Sequence, residues 1–470
     1  AFLTIAKSNN AKPQDLDTKW FEFVRHISNK TLHHFLDRFM DHLSGANVFD
    51  IFSSLGSAGA LYALLSPYFL SFSLFSHDRD IAEQVGSRFV QKHITPFQNK
   101  DEINVAHFTD TFYEINGIAA TLQQQLRIAK ATGKQLTVMT CEEMSHTPMD
   151  GVRRFEPIGI RNLPEYPEQK LYYPPFLDML RFCYEGRFTH LHSATPGPIG
   201  LSALAIAHIL KLPIVGTYHT SLPQYAGYLT NDSAIEELMW KYVLWYYNQM
   251  DFIYVPSKST GDELTLRGIS AHKIRLFPRG VDIRRFHPSK RDLPFLQQYI
   301  NVDTFKLLYV GRVSKEKNLP MLAQVFRQIS QSTDRLSLVV AGDGPYLAEM
   351  KRELAGTPCS FTGCIMGEEL AKLYATCDLF VFPSTTDTFG NVVLEAQASQ
   401  LPVVVTDTGG PHENVIPEKT GIVVPANNAK ALTAAVRSAM KDRPKLNQMR
   451  KAARQYAEGR PFERAFEQTW

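Results

Sequence analysis

A chain of 470 residues exceeds what one hydrophobic core usually accommodates, so two domains and an additional segment are expected. The formal net charge of +3 is spread through the chain without a polybasic tail or an acidic run, so charge offers no nucleic-acid partner. Cys141, Cys183, Cys359, Cys364 and Cys377 form no CxxC pair and adjoin no His-x-x-x-His, which reads as reduced thiols in a cytosolic protein without a metal site.

Ala1 is not an initiator methionine and no signal peptide follows it, so the chain is read as processed or as a piece of a longer protein. Residues 17–42 place Trp20, Phe23, Val24, Ile27, Leu32, Phe35, Leu36 and Phe39 at helical spacing, which predicts one or two amphipathic helices. The uncharged run 51–76 is long enough to span a bilayer, but Gly56, Gly59, Pro67 and several serines weaken that reading. A spanning segment, a buried helical pair and a membrane-surface hairpin all stay open. Residues 78–93 read as a charged helical connector.

From residue 103 the pattern changes to alternating strands and helices. Strands are expected over 103–109, 136–140, 189–192, 214–218 and 252–255, with helices over 117–132, 199–210 and 233–250 between them. A turn-rich passage follows, and the rhythm restarts with strands over 306–310, 337–341, 360–362, 379–382 and 402–406 and helices over 319–330, 346–354 and 368–375. This is the grammar of two doubly wound parallel-sheet domains of α/β class, joined near 282–293, with a ligand at the carboxyl ends of their strands.

The turns after these strands carry the chemistry. Residues 382–395 run from a buried strand through a glycine turn, Thr388 to Asn391, into a helix that bears Glu395, with Asp387 just before the turn. Such a turn aims backbone N–H groups and a helix dipole at a phosphate or a sugar hydroxyl. After strand 306–310 comes Gly311, then Arg312 and Lys317, a pair able to neutralise a diphosphate. Gly342 opens a turn where backbone approaches closely, and Gly409 and Gly410 open another that ends in Glu413. Asn116 and Gly117 begin a helix after the first strand without forming a GxGxxG fingerprint. His192 ends a strand and is followed by a loop containing Thr195, which leaves the imidazole at the cleft edge, and His219 ends a strand likewise.

Taken in order, 311–318, 342–345, 387–396 and 409–410 resemble the retaining glycosyltransferases of family four, with the GT-B fold. The nearest look is that of bacterial glycolipid and mannosyl transferases. The resemblance covers 103–470 and includes the interdomain linker at 279–288. It implies an acceptor domain over 101–290, a nucleotide-sugar donor domain over 291–455 and a C-terminal helix over 456–470 that crosses back to the first domain. Residues 1–100 have no counterpart and resemble the tail of an upstream region in longer fused proteins.

By the same resemblance Arg312 and Lys317 bind the diphosphate, Asp387 holds the donor sugar and Glu395 the ribose. Phe389, Gly390 and Asn391 offer backbone N–H groups, Gly117 lies under the diphosphate and His192 near the reacting sugar. Asn116, Thr195 and His219 fall on the acceptor side, Gly342 borders the nucleotide, and Ile365 sits where backbone reads the base. One departure stands: the first acid, commonly Glu, is Asp387, one methylene shorter. The implied reaction moves a hexose from a UDP- or GDP-linked donor to a lipid or saccharide acceptor with retention, without a metal or other cofactor, at the cytoplasmic membrane face. A nucleotide-sugar epimerase and a non-catalytic nucleotide-sugar-binding or membrane scaffold module are the alternatives.

Overall fold

The computed structural model describes residues 16–44, 66–67, 69–79, 81–82 and 103–470, the last apart from 115, 144–146, 164–165, 231, 278 and 334. Of the candidate membrane run, 51–65 lie outside the described residues, as does the connector beyond 82; residues 66–67, 69–79 and 81–82 are helical. Among the described residues no helix is long and apolar enough to cross a membrane.

The amphipathic pattern near the N-terminus forms one helix, Leu16–Ser44. It is no free tail. Val24 and Ser28 are buried, and Arg161 pairs with Asp41 at 2.7 Å while donating to the Asp37 carbonyl at 3.2 Å. The His33 ring meets Tyr173 edge-on at 6.2 Å.

By contacts the chain divides into two units, one running up to Thr217 with Tyr246–Ile253, the other taking Tyr218–Trp245 and Tyr254–Trp470. The first sheet contains β1 (Asn104–Phe108), β2 (Gln135–Cys141) and β3 (Val152–Phe155). An antiparallel hairpin, β4 (Gly159–Leu163) and β5 (Tyr166–Tyr173), interrupts it. The sheet resumes with β6 (His190–Ser193), β7 (Ile214–Thr217), β8 (Phe252–Val255) and β9 (Ile274–Leu276). Its order is β3-β2-β1-β6-β7-β8-β9, so successive strands move outward in both directions from the boundary between β1 and β6. Such a reversal opens a crevice at the strands' carboxyl ends, because the loops leaving its two strands depart to opposite sides.

The second sheet follows the same rule. Its strands are β10 (Phe305–Val310), β11 (Leu336–Ala341), β12 (Cys359–Gly363), β13 (Leu379–Phe382), β14 (Val403–Thr406) and β15 (Gly421–Val424), in the order β12-β11-β10-β13-β14-β15. All the pairings are parallel, and β10, β11, β13 and β14 are buried along their whole length, as a sheet covered on both faces requires. Here the reversal falls between β10 and β13. The last helix, Phe462–Thr469, is anchored by Pro461, which bridges to Val281, and by the Phe462 N–H donating to the Val281 carbonyl at 3.3 Å.

Candidate active site

The loops leaving β10 and β13 carry the cations and acids singled out in the sequence, so the topology brings them together at the second sheet's reversal point. After β10, Gly311 takes φ +145° and a single 3₁₀ turn, Lys315–Lys317, follows. Lys317 Nζ donates to Asp387 Oδ2 at 2.9 Å, with both side chains about four-fifths shielded. The ammonium and the carboxylate fix each other's position. The Arg312 guanidinium donates to the Tyr225 hydroxyl, and partial burial lowers its pKa. Beneath them Tyr309, fully buried and stacked on Phe382 at 6.0 Å, donates its hydroxyl to the Arg312 carbonyl at 2.8 Å.

Glycine is required where these loops press together. A Cβ at Gly342 would stand 1.9 Å from the Gly311 carbonyl oxygen, and one at Gly410 would stand 1.9 Å from the Thr388 carbonyl oxygen. Gly390, at φ +77°, caps the helix Asn391–Ala398, so Phe389, Gly390 and Asn391 form its entry. Glu395 lies on that helix, where Tyr374 donates to its Oε2 at 3.0 Å. Desolvation pushes its carboxyl up to about 7, against the Tyr374 hydrogen bond and the Arg285 charge. Ile365 is half-buried against the core, and the Gly363 carbonyl beside it accepts the Gly342 N–H at 2.9 Å.

His219 belongs to the same unit. Its Nδ1 is 2.7 Å from Arg279 Nη2, and its carbonyl accepts the Thr388 hydroxyl at 2.6 Å. Arg279 is buried, with its guanidinium 5.3 Å from the Phe277 ring and 5.5 Å from the Phe389 ring, and burial lowers its pKa to about 10. Glu413 caps the helix Lys258–Leu266, its two carboxylate oxygens accepting the Lys258 and Ser259 N–H groups at 2.7 Å each.

In the first unit, β1 and β6 end side by side at that sheet's reversal point. Asp110 follows β1 and accepts the Thr195 hydroxyl at 2.6 Å and the Ile199 N–H at 2.9 Å, capping the helix Pro198–Leu210. Burial pushes it up to about 6. Thr195 is thereby engaged by Asp110, which takes up the hydroxyl that the sequence reading offers to an acceptor. Asn116 caps the helix Gly117–Ala131 by accepting the Ile118 and Ala119 N–H groups, and Gly117 is exposed at its first position.

His192, expected at the cleft edge, lies within β6 and is 8% exposed, bonded to the Thr217 hydroxyl at 2.7 Å and stacked on His107 at 4.0 Å. Desolvation lowers its pKa to about 3, so the imidazole is neutral.

Four residues escaped the sequence reading as site residues: Asp110, Tyr225, Tyr374 and Arg279, the last taken only as linker. Asp110 had one available signal, an acid standing just after the apolar run of the first strand. The others act through partners remote in the chain and leave no local pattern.

Residues 115–285 match the family model described as Glycosyltransferase Family 4, and residues 295–456 match Glycosyl transferases group 1. A sulfoquinovosyl transferase of Arabidopsis thaliana is 32% identical over 356 residues, 74% of this chain and 68% of its own length. An alpha-monoglucosyldiacylglycerol synthase of Streptococcus pneumoniae is 28% identical over 334 residues, 67% of this chain and 74% of its own. A GDP-mannose-dependent alpha-mannosyltransferase of Mycobacterium tuberculosis is 29% identical over 329 residues, 69% of this chain and 84% of its own. Among solved structures, HepE of Anabaena with UDP and glucose superposes with a TM-score of 0.64 at 18% identity, covering 78% of this chain and 98% of that one. With the ordered motifs, the two reversed parallel sheets and these matches, the chain belongs to the family-four glycosyltransferases and has their GT-B fold.

Proposed function

We propose that this glycosyltransferase moves a hexose from a UDP- or GDP-linked donor to a hydroxyl of a lipid or glycolipid, with the anomeric configuration retained. The observation that carries the proposal is the convergence of Arg312, Lys317 and Asp387 on the reversal point of the second sheet. Cleaving a sugar–phosphate bond leaves negative charge on the departing diphosphate. Arg312 and Lys317 place two cations there without reorganisation, which is the form of stabilisation that lowers such a barrier most. Asp387, held by Lys317, accepts hydroxyls of the sugar, and Glu395 those of the ribose.

On this reading residues 291–455 form the donor domain, 101–290 the acceptor domain and 456–470 a helix that returns to it. A lipid acceptor is suggested by the relative named as an alpha-monoglucosyldiacylglycerol synthase. Retention is suggested because two relatives are named for alpha linkages, the configuration that common nucleoside-diphosphate hexoses already carry. Such acceptors place the work at a membrane face. The two site cations take the role a divalent ion plays elsewhere, so activity is expected to survive EDTA.

Thermal unfolding with UDP, GDP and their hexose conjugates tests the donor site. A nucleotide at a hundred times its dissociation constant should add about 2.7 kcal/mol of stability. The Lys317→Ala variant should lose that gain. A nucleotide that stabilises both proteins equally, or none that stabilises the wild type, refutes the assignment. Transfer of labelled hexose to diacylglycerol, followed by analysis of the anomeric linkage, tests acceptor and stereochemistry.

A further inference from the structure

A cavity of about 480 Å³ lies between the helix Leu16–Ser44 and the first unit's strand β3 and helix Phe176–Gly186. Arg25, Arg153, Arg154 and Arg181 line it, with Asn29 from the N-terminal helix. Two of its cations are already engaged. Arg25 bonds Asp178 at 3.4 Å and Glu22 at 2.5 Å, and Arg181 stands 3.8 Å from Glu185.

Arg153 differs. Its guanidinium lies 5.2 Å from the Phe155 ring and 5.0 Å from the Phe182 ring, and among the described residues it pairs with no carboxylate. Two buried polar atoms on the same wall also lack a hydrogen-bond partner, Arg25 Nε and Asn29 Oδ1. Each such group costs free energy unless something satisfies it. Arginine forks match phosphate oxygens, and an amide pairs with a hydroxyl.

We infer that this cavity binds a hydroxyl-bearing phosphate ester, at a site distinct from the donor residues. One chemistry here has two sources, a small soluble ester or the head group of an anionic glycerophospholipid. Either would bridge the N-terminal helix to the first unit. The lining residues all belong to the first unit, so the inference does not rest on the donor assignment.

The test uses the full chain, its Lys317→Ala variant, which removes phosphate affinity at the donor site, and two cavity variants. Arg153→Gln removes the uncommitted charge at an exposed position. Asn29→Leu replaces an amide that makes no hydrogen bond through its oxygen, so the fold is expected to hold, as the melting midpoint will show. Calorimetry with glycerol 3-phosphate forms one arm, and co-sedimentation with phosphatidylglycerol against phosphatidylcholine vesicles the other.

Binding of glycerol 3-phosphate that persists in Lys317→Ala and weakens roughly tenfold or more in Arg153→Gln supports a soluble ester. Phosphatidylglycerol-dependent sedimentation that Arg153→Gln abolishes, without soluble binding, supports a lipid head group. Neither probe binding, or binding indifferent to both cavity variants, overturns the inference.

Discussion

Burial pushes the Glu395 carboxyl up from the ordinary 4.5 to about 7. The folded chain keeps its proton between those values while the unfolded chain releases its own. This carboxyl therefore lowers stability as pH climbs from 4.5 toward 7 and adds no further change above. On the proposed assignment of Glu395 to the ribose, donor affinity has the opposite sign, because ribose hydroxyls are best met by the ionised carboxylate. Nucleotide binding is expected to tighten between pH 6 and 8, and a Glu395→Gln variant should bind more weakly with a flat profile; calorimetry across that range checks both. Asp387 and Glu395 were legible because seven residues separate them across a strand-to-helix turn. Arg279 was not, because its meaning lies in His219 and Phe389, far off in the chain.

Among the elements, the buried strands were the easiest to read. The apolar runs at β10, β11 and β13 announce themselves within a residue or so, since a strand covered on both faces must be apolar throughout. The hairpin β4–β5 did not. Its second strand, Tyr-Pro-Glu-Gln-Lys-Leu-Tyr-Tyr, carries a proline and three polar residues and reads as a loop. The helix Lys258–Leu266 hides for another reason: its first two N–H groups are satisfied by Glu413, a carboxylate 155 and 154 positions away. Losing that carboxylate should cost about 1 kcal/mol, as loss of a helix cap does. Glu413→Ala is expected to lower the unfolding free energy by that amount, read as a fall in the denaturant midpoint equal to it divided by the m-value, and Glu413→Gln, which keeps one acceptor, by less.

For the whole molecule, the N-terminal helix is the largest departure from the sequence reading. Residues 1–100 read as an appendage, yet Leu16–Ser44 packs on the first unit through Val24, Ser28, His33 and the Arg161–Asp41 pair. A chain beginning at residue 45 should melt several degrees lower, from the apolar surface it uncovers. Its nucleotide-induced gain should be kept, since Arg312, Lys317, Asp387 and Glu395 all lie in the second unit. Scanning calorimetry with and without nucleotide separates the two effects. The two-sheet architecture itself was legible, because the strand-helix rhythm stops and restarts once.

Gly342 and Gly344 lie against the carbonyl oxygens of Gly311 and Val313, at 1.9 Å and 2.5 Å for an added Cβ. Backbone resting on backbone has a single permitted residue at each of these turns, so the floor beneath Arg312 is a frozen part whose shape mutation cannot retouch. Exposed Cys364 and Met366, by contrast, can be exchanged without disturbing it. On the proposed donor reading, a change of ligand has to come from the side chains around these turns, not from the turns themselves.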